Sequence, residues 1–202
     1  MFMNAFYRAA AKPEGISGND FLEAILRERE DLRQKIEGGE LTAYSPLHQG
    51  QCAHTVIIGD EVFKGPNREI DLGGFDQEPE TLQRLEGKGL PVPRVTCIGK
   101  EAFFYGMTRQ PGVTLDGMLD TMTQEEKRIF AKDMADFIVD MALALPTEYG
   151  TYAKHGDIKP ANILVEPETK KLTAVIDFGM VFYYSKEHLA STRFGEVVKV
   201  MP

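Results

Sequence analysis

Two polar segments in the last quarter of the sequence constrain its fold more than any other feature. The first runs from His155 to Asn162, and the second is Ile176-Asp177-Phe178-Gly179. Between them, the apolar runs ILV and LTAV flank the polar turn EPETKK, a pattern that predicts a β-hairpin. Because a hairpin reverses the chain, we expect Asp177 to fold back beside Asp157, twenty residues earlier. Either aspartate alone is typical of a solvated turn, but together they indicate a site where two loops meet.

The composition is that of a globular protein with a core of its own. The 202 residues are 43% hydrophobic and 27% charged, which excludes wholesale disorder and suits one domain, or one domain with a small accessory piece. The two cysteines, Cys52 and Cys97, exclude a disulfide framework and a multi-cysteine zinc module. This cysteine usage indicates a reducing compartment, so the predicted location is cytoplasmic.

Charge and hydropathy exclude two classes of partner. The 23 basic and 31 acidic residues give a net charge of −8, the opposite of the balance usual in nucleic-acid-binding proteins. No run of about 18 apolar residues occurs, so no membrane span is expected. The start of the sequence, MFMNAFYRAAAKPEG, also lacks the basic head and apolar core of a secretory signal. A polyanionic ligand would therefore need local help from backbone amides, a lysine or a metal ion.

The order of the predicted elements indicates an α+β protein with two lobes. Thr123 and Glu126 form a capping box ahead of a long amphipathic helix that ends at Pro146. The elements before it are a helix over 19–37, a hairpin of 55–58 and 61–64 with Gly59-Asp60 at the turn, a helix over 77–87, and two strands within 90–109.

The two polar segments resemble the motifs of the protein-kinase-like superfamily. The first reads His155-Gly156-Asp157-Ile158-Lys159-Pro160-Ala161-Asn162, and Ile176-Asp177-Phe178-Gly179 follows in the expected order. The HGD triplet is closest to the aminoglycoside and choline phosphotransferase branch, whereas Lys159-Pro160 resembles serine/threonine protein kinases. The resemblance implies a two-lobed fold, with a small antiparallel sheet in the N-lobe and a helical C-lobe.

The resemblance also implies roles for the residues of these motifs. Asp157 would accept or orient the proton of the acceptor hydroxyl, and Lys159 would reach the transferring phosphate. Asn162 and Asp177 would hold Mg²⁺ on the phosphates of ATP, since this hard cation prefers oxygen ligands. A surface lysine without a role is the alternative for Lys159, and His155 is expected to shape the loop rather than to act as a base.

A lysine and a glutamate elsewhere resemble the family's nucleotide-binding pair. Lys64 ends the first hairpin, where the family's phosphate-binding lysine lies. Its expected partner is Glu78, which shares a helical face with Leu82 and Leu85. Pro79 places Glu78 in the first helical turn, and Glu80 is the alternative partner.

Two further segments resemble parts of a nucleotide site. Gly50 and Val56 keep the ends of the family's glycine-rich loop, although a plain strand-turn-strand fits this segment equally well. Met107 and Thr108 lie in a stretch that resembles the hinge between lobes, where backbone groups would bond adenine. Met107 fits a plain core position equally well.

The resemblance covers about residues 45–182, and the sequence departs from the family on both sides. Only 23 residues follow Gly179, so we expect a truncated C-lobe. The predicted organisation is an N-terminal helical extension over 1–40, an N-lobe over 41–110 and a C-lobe over 111–202. Gly156 stands where regulated kinases have an arginine that pairs with a phosphorylated loop, so constitutive competence or control by a partner is expected.

Three functions follow from these observations. The first, which the sequence favours over the other two, is an ATP- and Mg²⁺-dependent minimal serine/threonine protein kinase, which would work on a protein substrate or with an activating protein partner. The second is a small-molecule phosphotransferase of the aminoglycoside type. The third is a kinase-like module that binds a partner with little catalysis. Minimal kinases occur among bacterial effectors, so delivery into another cell is an alternative to a cytoplasmic location.

Overall fold

A computed structural model describes residues 18–44, 53–66, 77–100, 104–145 and 151–184. The chain divides into two compact units. The first unit comprises residues 1–72 and 95–109, and the second comprises residues 73–94 and 110–202. Each unit is described by itself below, and the lobe limits expected from the sequence stay a prediction.

The first unit begins with two helices, α1 (Gly18–Glu28) and α2 (Glu30–Glu37). The prediction of one helix over 19–37 is therefore wrong at Arg29, whose φ of −118° and ψ of 69° depart from helical values. The Arg29 guanidinium bonds both carboxylate oxygens of Asp31 at 2.8 Å and those of Glu61 at 3.1 and 2.9 Å. These paired contacts hold the backbone at the break and attach it to the neighbouring sheet.

The sheet of the first unit has five antiparallel strands in the order β1-β2-β3-β5-β4. The predicted hairpin is confirmed, with Gly59 at the turn and a φ of +57° that suits glycine. The strands are β1 (Ala43–Tyr44), β2 (Ala53–Ile58), β3 (Glu61–Pro66), β4 (Val95–Ile98) and β5 (Tyr105–Thr108).

The helices α1 and α2 supply part of the core of the first unit. Their buried side chains join those of the sheet in one apolar cluster formed by Phe21, Ala24, Ile25, Leu26, Leu32, Val56, Ile58, Phe63 and Phe104. The Glu28 carboxylate accepts two hydrogen bonds from the backbone N–H of Lys100, at 3.1 and 2.9 Å. The two helices that fall within the predicted N-terminal extension thus pack against the sheet.

The second unit contains α3 (Gln77–Leu85) and α4 (Gln124–Ala144). The capping box of α4 is confirmed. The Glu126 backbone N–H donates to Thr123 Oγ1 at 3.2 Å, and Thr123 N–H donates to Glu126 Oε2 at 2.7 Å. The buried face of α4 comprises Phe130, Met134, Phe137, Ile138, Met141 and Ala142. Within the described residues, no helix has the length and apolar character that crossing a membrane requires.

Two small antiparallel sheets complete the second unit. One has the order β6-β8-β9 and contains the predicted hairpin between the polar segments, which is confirmed. The other pairs β7 with β10, a pairing that the sequence did not indicate. The strands are β6 (Val113–Thr114), β7 (Tyr152–His155), β8 (Ile163–Val165), β9 (Leu172–Val175) and β10 (Val181–Tyr184).

We predict that Arg29→Ala lowers the free energy of unfolding of the first unit by about 2 kcal/mol. The side chains of Arg29 and Glu61 are only 22% and 18% exposed, so the substitution leaves a partly buried carboxylate without its cation. The guanidinium also lies 5.9 Å from the centre of the Phe63 ring, and this contact is lost as well. Urea denaturation followed by circular dichroism measures the change.

Arg33→Ala is the matched control. Its ion-pair partners Glu23, Glu30 and Glu37 are 61–69% exposed, so water replaces them at a cost below about 0.5 kcal/mol. Equal losses in the two variants would contradict the role assigned to Arg29.

Candidate active site

The segment from His155 to Asn162 folds into a loop that holds Asp157 through its own side chains. Asn162 Nδ2 donates to the backbone oxygen of Asp157 at 2.9 Å and to its Oδ2 at 3.0 Å. Lys159 Nζ lies 2.7 Å from the same Oδ2. The structure thus brings Asp157, Lys159 and Asn162 together in one loop.

The two hydrogen bonds of Asn162 fix the orientation of its side-chain amide. Asn162 is 6% exposed and lies in a 3₁₀ turn that precedes β8. Since its amide nitrogen faces Asp157, its Oδ1 is turned away and bonds no other described group. Oδ1 of Asp157 likewise accepts no hydrogen bond from the described part of the chain, and the Asp157 side chain is 32% exposed. Within the described part of the chain, these two oxygen atoms therefore have no hydrogen-bond donor.

His155 connects this loop to the segment that carries Asp177. Its Nε2 lies 3.1 Å from the backbone oxygen of Ile176, and its Nδ1 lies 3.1 Å from the backbone nitrogen of Asp157. The Asp157 N–H donates to Nδ1, so Nε2 carries the proton and donates to Ile176. His155 therefore shapes both loops, which is the role expected from the sequence.

The surroundings of His155 favour its neutral form. The residue is 2% exposed, and its ring meets that of Phe178 edge-on with centres 4.7 Å apart. Burial lowers the pKa of His155, outweighing the opposite effects of the Ile176 hydrogen bond and of the carboxylates of Asp177, Glu78 and Asp157.

Asp177 follows β9 in a left-handed backbone conformation with a φ of +69°. This conformation costs a non-glycine residue about 1 kcal/mol and is found mainly where surrounding contacts impose it. The Ile176 N–H donates to the Asn162 backbone oxygen at 2.9 Å, which holds the segment beside the first loop. The hairpin therefore returns Asp177 to the loop that carries Asp157, as predicted.

Glu78 lies on the buried face of α3 with Leu82 and Leu85, as predicted. It is 3% exposed, whereas Glu80 is exposed. Its Oε1 accepts a hydrogen bond of 3.1 Å from the backbone N–H of Phe178, so Glu78 supports the residue that follows Asp177. Lys64 belongs to the first unit, and its pairing with Glu78 stays a prediction.

The remaining residues predicted for nucleotide binding belong to the sheet of the first unit or lie outside the described residues. Lys64 on β3 is opposite Tyr105 on β5. Met107 and Thr108 lie on β5, with Met107 only 4% exposed, which agrees with a core position. Gly50 lies outside the described residues.

Strand β10 is the part of this region that sequence reasoning missed. The Gly156 N–H donates to the Met180 backbone oxygen at 2.6 Å. The side-chain amide of Gln77 bonds both backbone groups of Val181, donating to its oxygen at 2.7 Å and accepting from its nitrogen at 3.4 Å. The apolar run VFYY indicates a strand, but it contains no feature that predicts pairing with β7.

The donor set suits Mg²⁺ bound together with nucleotide phosphates. Among the described residues, no group of three or more His, Cys, Asp and Glu side chains could hold a metal ion alone. Mg²⁺ usually takes only one or two protein oxygens and completes its shell with phosphate and water oxygens. Asn162 Oδ1 and the Asp177 carboxylate are of the required kind and lie on adjoining segments.

We predict that the protein loses stability as the pH falls below 6.5 because of His155. Its pKa in the unfolded chain is near 6.5 and lower in the folded protein, so the unfolded chain takes up the proton first. The stabilisation is complete above pH 6.5 and declines toward the folded pKa, with a slope of up to about 1.4 kcal/mol per pH unit. Urea denaturation at pH 7.5, 6.5 and 5.5 measures it.

His155→Asn is the comparison for this pH dependence, since it removes the titrating group. The variant is less stable at pH 7.5 but loses less further stability than the wild type between pH 6.5 and 5.5. Parallel losses in the two proteins would refute the role of His155.

Comparisons with known proteins agree with this geometry. Residues 146–185 match the family described as "Phosphotransferase enzyme family". No curated protein matches the chain. Among solved structures, ADP-bound aminoglycoside phosphotransferase APH(2'')-Ib matches with a TM-score of 0.57 and 16% identity, over 77% of this chain and 72% of that one.

Two further structures show the same fold. The streptomycin-ATP-APH(2'')-IIa ternary complex matches with a TM-score of 0.57 and 17% identity, over 79% of this chain and 72% of that one. Aminoglycoside phosphotransferase APH(3'')-Id from Streptomyces rimosus ATCC10970 matches with a TM-score of 0.56 and 14% identity, over 86% of this chain and 90% of that one. The prediction of fold class is confirmed, and the match over residues 146–185 agrees with the predicted superfamily. The chain has the protein-kinase-like fold, in the form that these aminoglycoside phosphotransferase structures have, and residues 146–185 of it match a phosphotransferase family.

Proposed function

We propose that the protein transfers the γ-phosphoryl group of ATP to the hydroxyl of a small polar molecule of the aminoglycoside kind. The observation that carries the proposal is the arrangement around Asp157. One carboxylate oxygen is held by Lys159 and Asn162, and the other is open to an acceptor. Phosphoryl transfer asks a protein mainly to position groups and to balance charge, and this loop has the parts for both.

Asp157 orients the acceptor hydroxyl through Oδ1 and takes its proton as the oxygen attacks the γ-phosphorus. The bond from the γ-phosphorus to the bridging oxygen breaks, and ADP leaves with the electron pair. The fixed contacts on Oδ2 keep the carboxylate from rotating, so Oδ1 faces the incoming hydroxyl. The side chain of Lys159 is half-exposed, and its ammonium group is assigned to balance negative charge on the moving phosphoryl group.

Asn162 and Asp177 are proposed to hold Mg²⁺ through Oδ1 and the carboxylate. When bound, the ion neutralises charge on the phosphate oxygens and orients them. The hydrogen bonds from Asn162 Nδ2 to Asp157 prevent the amide from flipping and so keep its oxygen available for the ion.

Nucleotide binding by the first unit completes the proposal. Lys64 is assigned to the phosphates, with Glu78 as its partner, and Gly50 to the loop that covers them. Met107 and Thr108 are assigned to adenine through their backbone groups. ATP as the donor is supported by the two structural neighbours that contain ADP or ATP.

A protein serine or threonine is the second candidate acceptor. Lys159 and Pro160 favour it, because a lysine two residues after the aspartate resembles serine/threonine kinases rather than small-molecule phosphotransferases. This candidate includes a protein substrate or an activating protein partner. The likeness to aminoglycoside phosphotransferases favours the small molecule.

We predict that Asp157→Asn lowers phosphoryl transfer by about 10³-fold, because the amide cannot take the proton. The assay incubates the purified protein with γ-labelled ATP and Mg²⁺, and separately with an aminoglycoside panel and a generic protein substrate. Label on an aminoglycoside that is lost in the variant supports the proposal. Label on protein supports the second acceptor. Partner binding without turnover would overturn both and leave a binding module.

We also predict that Asp177→Asn abolishes the Mg²⁺-dependent part of the rise in melting temperature that ATP produces. A ligand that binds only the folded state raises apparent stability, and losing the carboxylate weakens the metal-dependent part of that binding. Asp157→Asn retains the rise, because Asp157 serves the acceptor. The control is Asp120→Asn, an exposed carboxylate in the same unit. If the Mg²⁺-dependent shift in melting temperature is unchanged in Asp177→Asn, then Asp177 does not hold the metal ion.

A further inference from the structure

Gly156, which joins His155 to Asp157, lies in unusually close contact with Phe182 on β10. A Cβ atom built on Gly156 would lie 2.3 Å and 2.6 Å from Cε2 and Cδ2 of the Phe182 ring. It would also lie 3.0 Å from the Met180 backbone oxygen. Every residue other than glycine would therefore displace either the ring or the loop.

The need for glycine at this position is one of space. The φ of Gly156 is outside the left-handed region that favours glycine, so its backbone conformation suits other residues. Phe182 is 44% exposed, so core burial does not account for its place either. The close contact therefore accounts for both residues: the aromatic ring of Phe182 packs against the backbone of the loop that carries Asp157.

Strand β10 is held firmly enough to act as a support for this loop. It pairs antiparallel with β7, with Val181 opposite His155 and Phe182 opposite Lys154. The Gly156 N–H extends this pairing by donating to the Met180 oxygen. The side chain of Gln77 bonds Val181 as well. Phe182 therefore projects from a strand that is fixed next to the loop of Gly156.

We propose that Phe182 is a positioning residue that sets the place of Asp157 by blocking movement of Gly156 toward β10. The inference rests on the proposed function, because positioning matters for transfer to an acceptor hydroxyl. The neighbours of Gly156 are tied to each other by the bond from the Asp157 N–H to His155 Nδ1. A shift at Gly156 thus moves Asp157, and displacement of a reacting group by about 1 Å can cost 10²-fold in rate.

The first test is a double-mutant cycle on stability. Gly156→Ala lowers the folding equilibrium constant by about tenfold or more in the presence of Phe182, because the new methyl group meets the ring. In a Phe182→Ala background the same change costs about threefold or less, since the Met180 oxygen at 3.0 Å needs only a small adjustment. If the effects of the two substitutions on stability are additive, Gly156 and Phe182 do not interact and the proposal is overturned.

Tyr183→Ala is the matched control for this cycle. Tyr183 is 37% exposed on the same strand, and its side chain alternates to the other face, where its hydroxyl lies 2.9 Å from an Arg84 nitrogen. Gly156→Ala and Tyr183→Ala are therefore expected to combine additively. Coupling of equal size at Tyr183 would show that β10 responds as a whole and would overturn the specific role of Phe182.

The second test measures positioning directly. In Phe182→Ala, amide hydrogen exchange at Gly156 and Asp157 accelerates by about tenfold, because the loop loses its support. The kcat falls by about 10-fold to 100-fold while the KM for ATP stays within about twofold. Phe182→Tyr keeps the ring and restores both measurements. Unchanged exchange and unchanged kcat in Phe182→Ala would overturn the proposal.

Failure of the proposed function is distinguishable from failure of this inference. If the wild-type protein phosphorylates no acceptor, the proposed function fails, and the cycle and the amide exchange still decide whether Phe182 positions the loop. If the wild type is active but the cycle is additive and the exchange is unchanged, only the inference about Phe182 fails.

Discussion

The structure of the site depends on one neutral imidazole ring. His155 must donate through Nε2 to the Ile176 carbonyl and accept at Nδ1 from the Asp157 N–H. Protonation would turn the acceptor nitrogen into a donor facing another donor, and it would place a charge in a nearly dry environment. The loops that carry Asp157 and Asp177 therefore share one support, which is lost in the cationic form.

The left-handed backbone of Asp177 shows how firmly the second loop is held. The amides on both sides of this residue are bonded, since the Ile176 N–H donates to Asn162 and the Phe178 N–H donates to Glu78. Because both neighbouring residues are fixed, the backbone conformation of Asp177 is restricted. The hydrogen bonds of these neighbours offset the conformational energy that the positive φ costs. Strain of this kind is typical of residues whose place is set by function.

The sequence predicted the parts of the fold that local chemistry decides. The capping box at Thr123, the glycine at the Gly59 turn and the hairpin ahead of Asp177 each depend on residues close together in the chain. The break at Arg29 was missed because one of the two carboxylates that bond its guanidinium, on Glu61, lies 32 residues away in the chain. The pairing of β7 with β10 was also missed, because a short apolar run predicts a strand but does not indicate which strand it pairs with.

The contacts around β10 join the loop that carries Asp157 to the segment that follows Asp177. In kinases controlled by phosphorylation, an arginine next to the catalytic aspartate pairs with a phosphate, and here the position is Gly156. In this protein Phe182 lies against the loop at Gly156, and the side-chain amide of Gln77 bonds Val181. These contacts need no added phosphate, and they tie α3 to the segment that follows Asp177 within a single unit. Constitutive competence stays a prediction, and these contacts, which join the two loops through the chain's own side chains, are the structural feature on which it rests.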